Sequence, residues 1–141
     1  MSNAIIGFKD EYMFLSNFYL SEVEFEGMVY KSAEAAFQAA KSLDKKDREK
    51  FQKVNPLLAK KLGKKLTLRD DWEEIKEEVM YKILLDKFTR NNMIRDKLIE
   101  TNDSELINDN ILGNTFWGQV DGIGENRLGK ILMKIREELN G

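Results

Sequence analysis

Near the N-terminus the apolar residues come in short runs, and further along they fall at helical spacing. Ile5 to Phe8 reads as an edge strand, and the aromatic-rich Phe14-Leu15-Ser16-Asn17-Phe18-Tyr19 as irregular chain. Val23-Glu24-Phe25 and Met28-Val29-Tyr30 flank Glu26-Gly27, which predicts a β-hairpin whose two-residue turn draws positive φ from the glycine. Ser32 is an N-cap, and Ala33, Ala36, Phe37 and Ala40 follow at i, i+3, i+4, i+7, the buried face of a helix. Asp44 to Val54 reads as a charged, solvent-facing helix. Asn55-Pro56 opens another, which Gly63 ends or bends. Asp70 or Asp71 is expected to cap the longest helix, with Trp72, Ile75, Val79 and Ile83 along it to about Phe88. Asn91-Asn92 interrupt before a short helix from Met93 to Ile99. Thr101 to Asn114 is polar and reads as a loop, anchored by Leu106-Ile107 and Ile111-Leu112. Leu128, Ile131, Leu132, Ile135 and Leu139 mark one face of a last helix, with Arg136 near its C-terminus to suit the macrodipole. The predicted fold class is mainly α (α+β): one multihelical domain over residues 1–141 with a small N-terminal β-hairpin.

Composition narrows the chemistry. Hydrophobic residues make up 42%, enough for a core, and the 34% charged residues nearly cancel to a net charge of −2. That balance lacks the broad basic footprint of a nucleic-acid binder, and Lys60-Lys61 with Lys64-Lys65 reads as the solvated side of a helix. With no cysteine there is no disulfide and no thiolate, which fits a reducing cytosol; the expected location is cytoplasmic. With no histidine there is no Ser-His-Asp triad and no His-based zinc site. Acid–base chemistry must then use Asp, Glu, Lys, Tyr or the substrate itself. No apolar run is long enough for a signal peptide or a membrane span. Asp70-Asp71 and Glu73-Glu74 look like metal ligands at first, but acids in a helix's first turn are favoured by its dipole. No metal and no cofactor are expected.

Three features carry candidate chemistry. Glu34, Gln38 and Lys41 fall at i, i+4, i+7 and form a polar stripe beside the small-residue face of the Ser32 helix. A carboxylate, an amide and an ammonium set against a core suit a small polar pocket; the same spacing also fits an ordinary amphipathic helix with a surface Glu–Lys pair. Asn114-Thr115-Phe116-Trp117-Gly118 and Asp121-Gly122-Ile123-Gly124-Glu125-Asn126-Arg127-Leu128-Gly129 form a glycine-rich loop feeding a helix, where exposed N–H groups suit a phosphate. The spacing is not that of a dinucleotide fingerprint, and a tight turn before a helix explains it equally. Gly129 inside the helix disfavours it by about 1 kcal/mol relative to Ala, which points to close approach by another backbone or a ligand. Trp72 and Trp117 are either core residues or stacking surfaces for a flat ring.

Taken in order, Phe14 to Tyr19, Tyr30-Lys31-Ser32-Ala33-Glu34 with Gln38 and Lys41, Arg69-Asp70-Asp71-Trp72 with Lys76 and Met80, Trp117-Gly118, and Gly124 to Met133 with Ile135-Arg136 resemble the NADAR, or YbiA-like, family over nearly the whole chain. The resemblance implies a YbiA-like fold and an N-glycosidase that splits a ribose carbon from nitrogen. The implied substrates are phosphoribosylamino-pyrimidine intermediates of riboflavin synthesis or a related small ribosyl compound. Two alternatives stay open: a hydrolase of ADP-ribosyl-guanine in nucleic acid, and a non-catalytic module for ADP-ribose or NAD. By the resemblance Glu34 is the acidic residue of the Ser-x-Glu motif and Trp72 an active-site aromatic. On that footing Glu34 is expected to stabilise the ribosyl cation and activate water, and Asn114, the second catalytic candidate, to hold a ribose hydroxyl or that water without acting as an acid or base; Trp72 and Trp117 are expected to frame the substrate, Lys41, Arg127 and the Gly124 to Asn126 turn to bind phosphate, and Asn17 and Lys31 to be weaker contacts. The family often has Asp at the position of Asn114, Glu at that of Asn108 and His at that of Ala35. These departures remove negative charge from the implied site and keep the binding-only alternative open. The sequence does not set an oligomeric state.

Overall fold

A computed structural model of the chain describes residues 3–109 and 113–141, so the expected anchor Ile111-Leu112 lies outside the described residues. The described residues form six α-helices, one 3₁₀ helix and two two-stranded sheets, in keeping with the mainly α, α+β class. They group into two compact units, residues 17–91 and residues 3–16 with 92–141.

In residues 17–91 the hairpin comes first. Its strands are Leu20–Phe25 and Met28–Ser32, paired antiparallel with Val23 opposite Tyr30 and Phe25 opposite Met28. Glu26 (φ 50°) and Gly27 (φ 87°) both sit at positive φ, as a tight hairpin turn requires. The second strand runs straight into helix α1, Ala33–Ala39, and Ser32 Oγ accepts the Ala35 N–H at 3.1 Å. Every residue of α1 is buried, because its alanines let both strands and three further helices pack on it. Those helices are α2 (Lys45–Phe51), α3 (Pro56–Gly63) and α4 (Trp72–Arg90). Asp44 caps α2, and Asn55 caps α3 with Pro56 at its first position. Two expectations change here. Helix α2 is not wholly solvent-facing: Phe51 is buried, and Arg48 is buried with its guanidinium bonded to the Ser42 carbonyl and Glu26. Asp71 stands at the N-cap position of α4 without a capping bond, because its carboxylate is held by Arg69 at 2.7 and 3.2 Å.

The other unit holds strand β1, Ala4–Ile6, a 3₁₀ helix over Asp10–Leu15, helix α5 (Asn92–Glu100), strand β4 (Glu105–Ile107) and helix α6 (Arg127–Asn140); the hairpin strands are β2 and β3 in chain order. β1 and β4 pair parallel, Ala4 with Glu105 through Ile6 with Ile107. The stretch expected as loop from Thr101 to Asn114 therefore contains a strand. The aromatic-rich segment likewise begins inside a 3₁₀ helix instead of being irregular throughout. Arg136 is buried inside α6, and its Nη1 donates to Thr101 Oγ1 at 2.9 Å and the Ser104 carbonyl at 2.8 Å. It ties the α5–β4 connection to α6 and does not serve the macrodipole. Gly129 explains itself: a methyl there would overlap the Leu106 carbonyl oxygen and the Asn126 side chain, so α6 lies directly against β4.

Candidate active site

The polar stripe of α1 does face inward. Glu34 is 8% exposed and Gln38 6%. Gln38 Nε2 donates to Glu34 Oε2 at 2.6 Å, across one helical turn. The Glu34 N–H donates to the Asn17 carbonyl at 3.0 Å, so the chain before the hairpin is fixed to the start of α1. Asn17 is buried too, with Nδ2 donating to the Met80 sulfur at 3.5 Å. Asn17 Oδ1 and Gln38 Oε1 are buried with no hydrogen-bond partner. Such buried acceptors are rare, and each disfavours the fold by about 1–3 kcal/mol unless something else bonds to it. Trp72, at the first turn of α4, is buried with its ring 5.0 Å from that of Phe37, one turn along α1 from Glu34.

Burial pushes the Glu34 carboxyl above its ordinary range; the bond from Gln38 and then the charges of Lys60 and Lys41 pull it back. Lys41 is shifted the other way. Burial pushes its ammonium down, and Glu34 opposes that. The Lys41 carbonyl accepts the Arg69 N–H at 2.9 Å, which anchors the Arg69–Trp72 segment to the end of α1. Gly63 of α3 lies against Gln38 so closely that a methyl would overlap its amide. Gln38 and Gly63 thus help set the carboxylate, and the signal for them was the stripe spacing plus a glycine at a helix end.

Five predicted residues belong to the other unit. Asn114 is exposed, and its Oδ1 accepts the N–H groups of Phe116 at 3.0 Å and Trp117 at 2.9 Å, so it caps a turn. Trp117 is half-buried and meets Phe116 edge-on at 4.8 Å. The expected phosphate cradle at the start of α6 is corrected. The N–H groups of Glu125, Asn126, Arg127 and Leu128 donate to the carbonyls of Thr115, Gly118, Phe116 and Trp117 at 2.7–3.2 Å. Gly124 (φ 145°) leaves room for the Gly118 carbonyl in that ladder. Asn126 is buried in the left-handed region, with Nδ2 on the Leu106 carbonyl and Oδ1 on the Asn108 N–H. It joins β4 to α6. Arg127 pairs with Glu125 at 2.7 Å and lies over the Phe116 ring.

Residues 7–140 match the NADAR domain family. The chain belongs to the NADAR family. It is 36% identical to the N-glycosidase YbiA of Escherichia coli, over 99% of this chain and 91% of that one. It is 34% identical to an N-glycosidase of Nostoc punctiforme (88% and 83%), and 37% identical to a riboflavin biosynthesis protein of Vibrio vulnificus, over 89% of this chain and 35% of that longer one. The solution structure of E. coli YbiA superposes with a TM-score of 0.86 over 99% of this chain and 87% of that chain. In this NADAR chain the side-chain amides of Asn108 and Asn114 have fold contacts. Asn108 Nδ2 donates to the Trp117 carbonyl at 3.3 Å, which a carboxylate could not do, whereas the acceptor role of Asn114 suits Asp equally. Ala35 is fully buried under the Ser32 cap.

Proposed function

We propose that this NADAR chain is an N-glycosidase that hydrolyses the bond between a ribose anomeric carbon and nitrogen, with Glu34 as its reacting group. The observation that carries this is a carboxyl group almost wholly buried, with one oxygen oriented by Gln38 and unpartnered amide oxygens on Gln38 and Asn17. Breaking the bond builds positive charge on the ribose ring. A preorganised carboxylate in a water-poor setting stabilises that charge more than it stabilises the neutral substrate. Glu34 then orients and deprotonates the attacking water, a role its raised pKa suits. The departing base takes its proton from solvent. Trp72 walls the sugar, Asn17 holds a hydroxyl and Lys41 faces the anionic end of the substrate. The names of the relatives support a small phosphoribosyl compound of the riboflavin route as substrate.

The test is Glu34→Gln, which keeps shape and removes charge. With a phosphoribosylamino-pyrimidine as substrate and free ribosyl product read by mass spectrometry, turnover is expected to fall at least about a hundredfold. Unchanged turnover would remove Glu34 from the mechanism.

A further inference from the structure

Lys60 and Gly63 of helix α3 and Lys64, its C-cap residue with helical φ/ψ, fall at i, i+3, i+4, on one face. Gly63 lies directly on the Gln38 amide, so this face meets the polar stripe of α1, and the two lysines flank the contact. The charge of Lys60 reaches both Glu34 and Lys41, and that of Lys64 reaches Lys41. None of these three ammonium groups has a hydrogen-bond or ion-pair partner among the described residues, and α3 carries no acid in its first turn. Three ammonium groups against one carboxylate leave two positive charges beside buried, unpartnered amide oxygens. Lysines near a helix C-terminus also suit its dipole, and Lys61 and Lys65 are placed equally well for that; Lys60 is half-buried and Lys64 exposed, and it is their charges, not those of Lys61 and Lys65, that act on Glu34 and Lys41.

We propose that Lys60 and Lys64, together with Lys41, form a phosphate subsite next to Glu34 that takes the 5-phosphate of a ribosyl ligand. A dianionic phosphate matches the surplus charge and would favour the charged form of Lys41. The inference rests on the reading of Glu34 as the group that receives the ribosyl ring. The ribosyl 5-phosphate occurs both in ribose 5-phosphate and, as part of a diphosphate, in ADP-ribose.

Calorimetric titration of the full chain with ribose, ribose 5-phosphate and ADP-ribose tests it. The parent protein is expected to bind ribose 5-phosphate at least about tenfold tighter than ribose. The double variant Lys60→Met/Lys64→Met should lose that preference and leave ribose binding unchanged. Lys61→Met/Lys65→Met, with the same change in net charge, should retain it. An equal loss for ADP-ribose assigns the subsite to either phosphate source, and a loss confined to ribose 5-phosphate assigns it to the monoester; both support the subsite. No preference in the parent, or the same loss in both double variants, overturns it. Binding does not require turnover. If Glu34→Gln hydrolyses normally while the lysine dependence holds, the catalytic reading fails and the subsite stands; the reverse pattern removes the subsite alone.

Discussion

Glu34 is held where its charge is disfavoured, and that has a measurable consequence. Its carboxyl is raised by burial, so the folded chain binds a proton more tightly than the unfolded one. The stability this provides is full below the ordinary value of 4.5 and is lost as pH rises through the folded pKa. At neutral pH the buried charge therefore weighs against the fold. Glu34→Gln should be more stable than the parent at pH 7 by roughly 1–2 kcal/mol, the gain commonly seen when a functional compromise is removed. The difference should shrink towards pH 4 in urea unfolding curves; an equal difference at both pH values would contradict this electrostatic account. Gln38 argues in the opposite sense. Its bond favours the ionised carboxylate, so Gln38→Leu should push the Glu34 pKa higher still. The acidic limb of the kcat/KM profile should then move to higher pH, whereas a packing defect would lower the whole profile without moving it. Helical spacing put Glu34 on a polar stripe with Gln38 but did not decide between a pocket and an ordinary surface pair; burial decides it. The role of Asn126 was not legible, because nothing in Gly-Glu-Asn-Arg says that both ends of an amide will be taken by the backbone of a strand 20 residues earlier.

Elements set by neighbouring residues were readable, and those set by distant ones were not. The hairpin turn, the Ser32 cap and the Asn55-Pro56 helix start each follow from two or three adjacent side chains. β4 is three residues long, too short to show alternation, and its parallel partner lies at the other end of the chain. Only Gly129 hinted at it, through a helix interior that preferred no side chain. Gly129→Ala should therefore be destabilising, although alanine is the better helix former. The methyl would strike the Leu106 carbonyl and the Asn126 amide, neither of which is the free end of a flexible chain. A loss of about 2–3 kcal/mol is expected, the upper range for overpacking. Chemical denaturation of the variant checks this, and a gain in stability would mean that α6 and β4 can separate without penalty. Arg136 shows the same limit from the polar side: its helical position suggested the macrodipole, while its partners come from the α5–β4 connection.

Over the whole molecule the charges nearly cancel, which hides a lysine in the core. On α4 the buried positions are Trp72 and, further along, Val79, Met80, Ile83, Leu84, Lys87 and Phe88, an apolar stripe with one ammonium in it. Lys87 is fully buried, with Nζ 5.5 Å from the Tyr19 ring centre and 5.1 Å from that of Phe88. Aromatic faces favour a cation, but by less than the loss of water disfavours it, and burial lowers its pKa to about 7. In the unfolded chain it titrates near the ordinary 10.5. Between these values the unfolded state holds a proton that the folded state lacks, so stability rises with pH across that window. The contribution is up to about 1.4 kcal/mol per pH unit, and it levels off below pH 7, where both states are charged. Lys41, also lowered, adds a slope of the same sign, so only a difference between proteins isolates Lys87. Lys87→Met keeps the length and removes the charge. Its stability by urea unfolding should exceed the parent's at pH 7, and the gap should narrow steadily towards pH 9, closing only near 10.5, where the unfolded lysine also loses its proton. Parallel curves from pH 6 to 9 would show that Lys87 keeps its proton inside the fold, and that its surroundings stabilise the cation more than the two rings can.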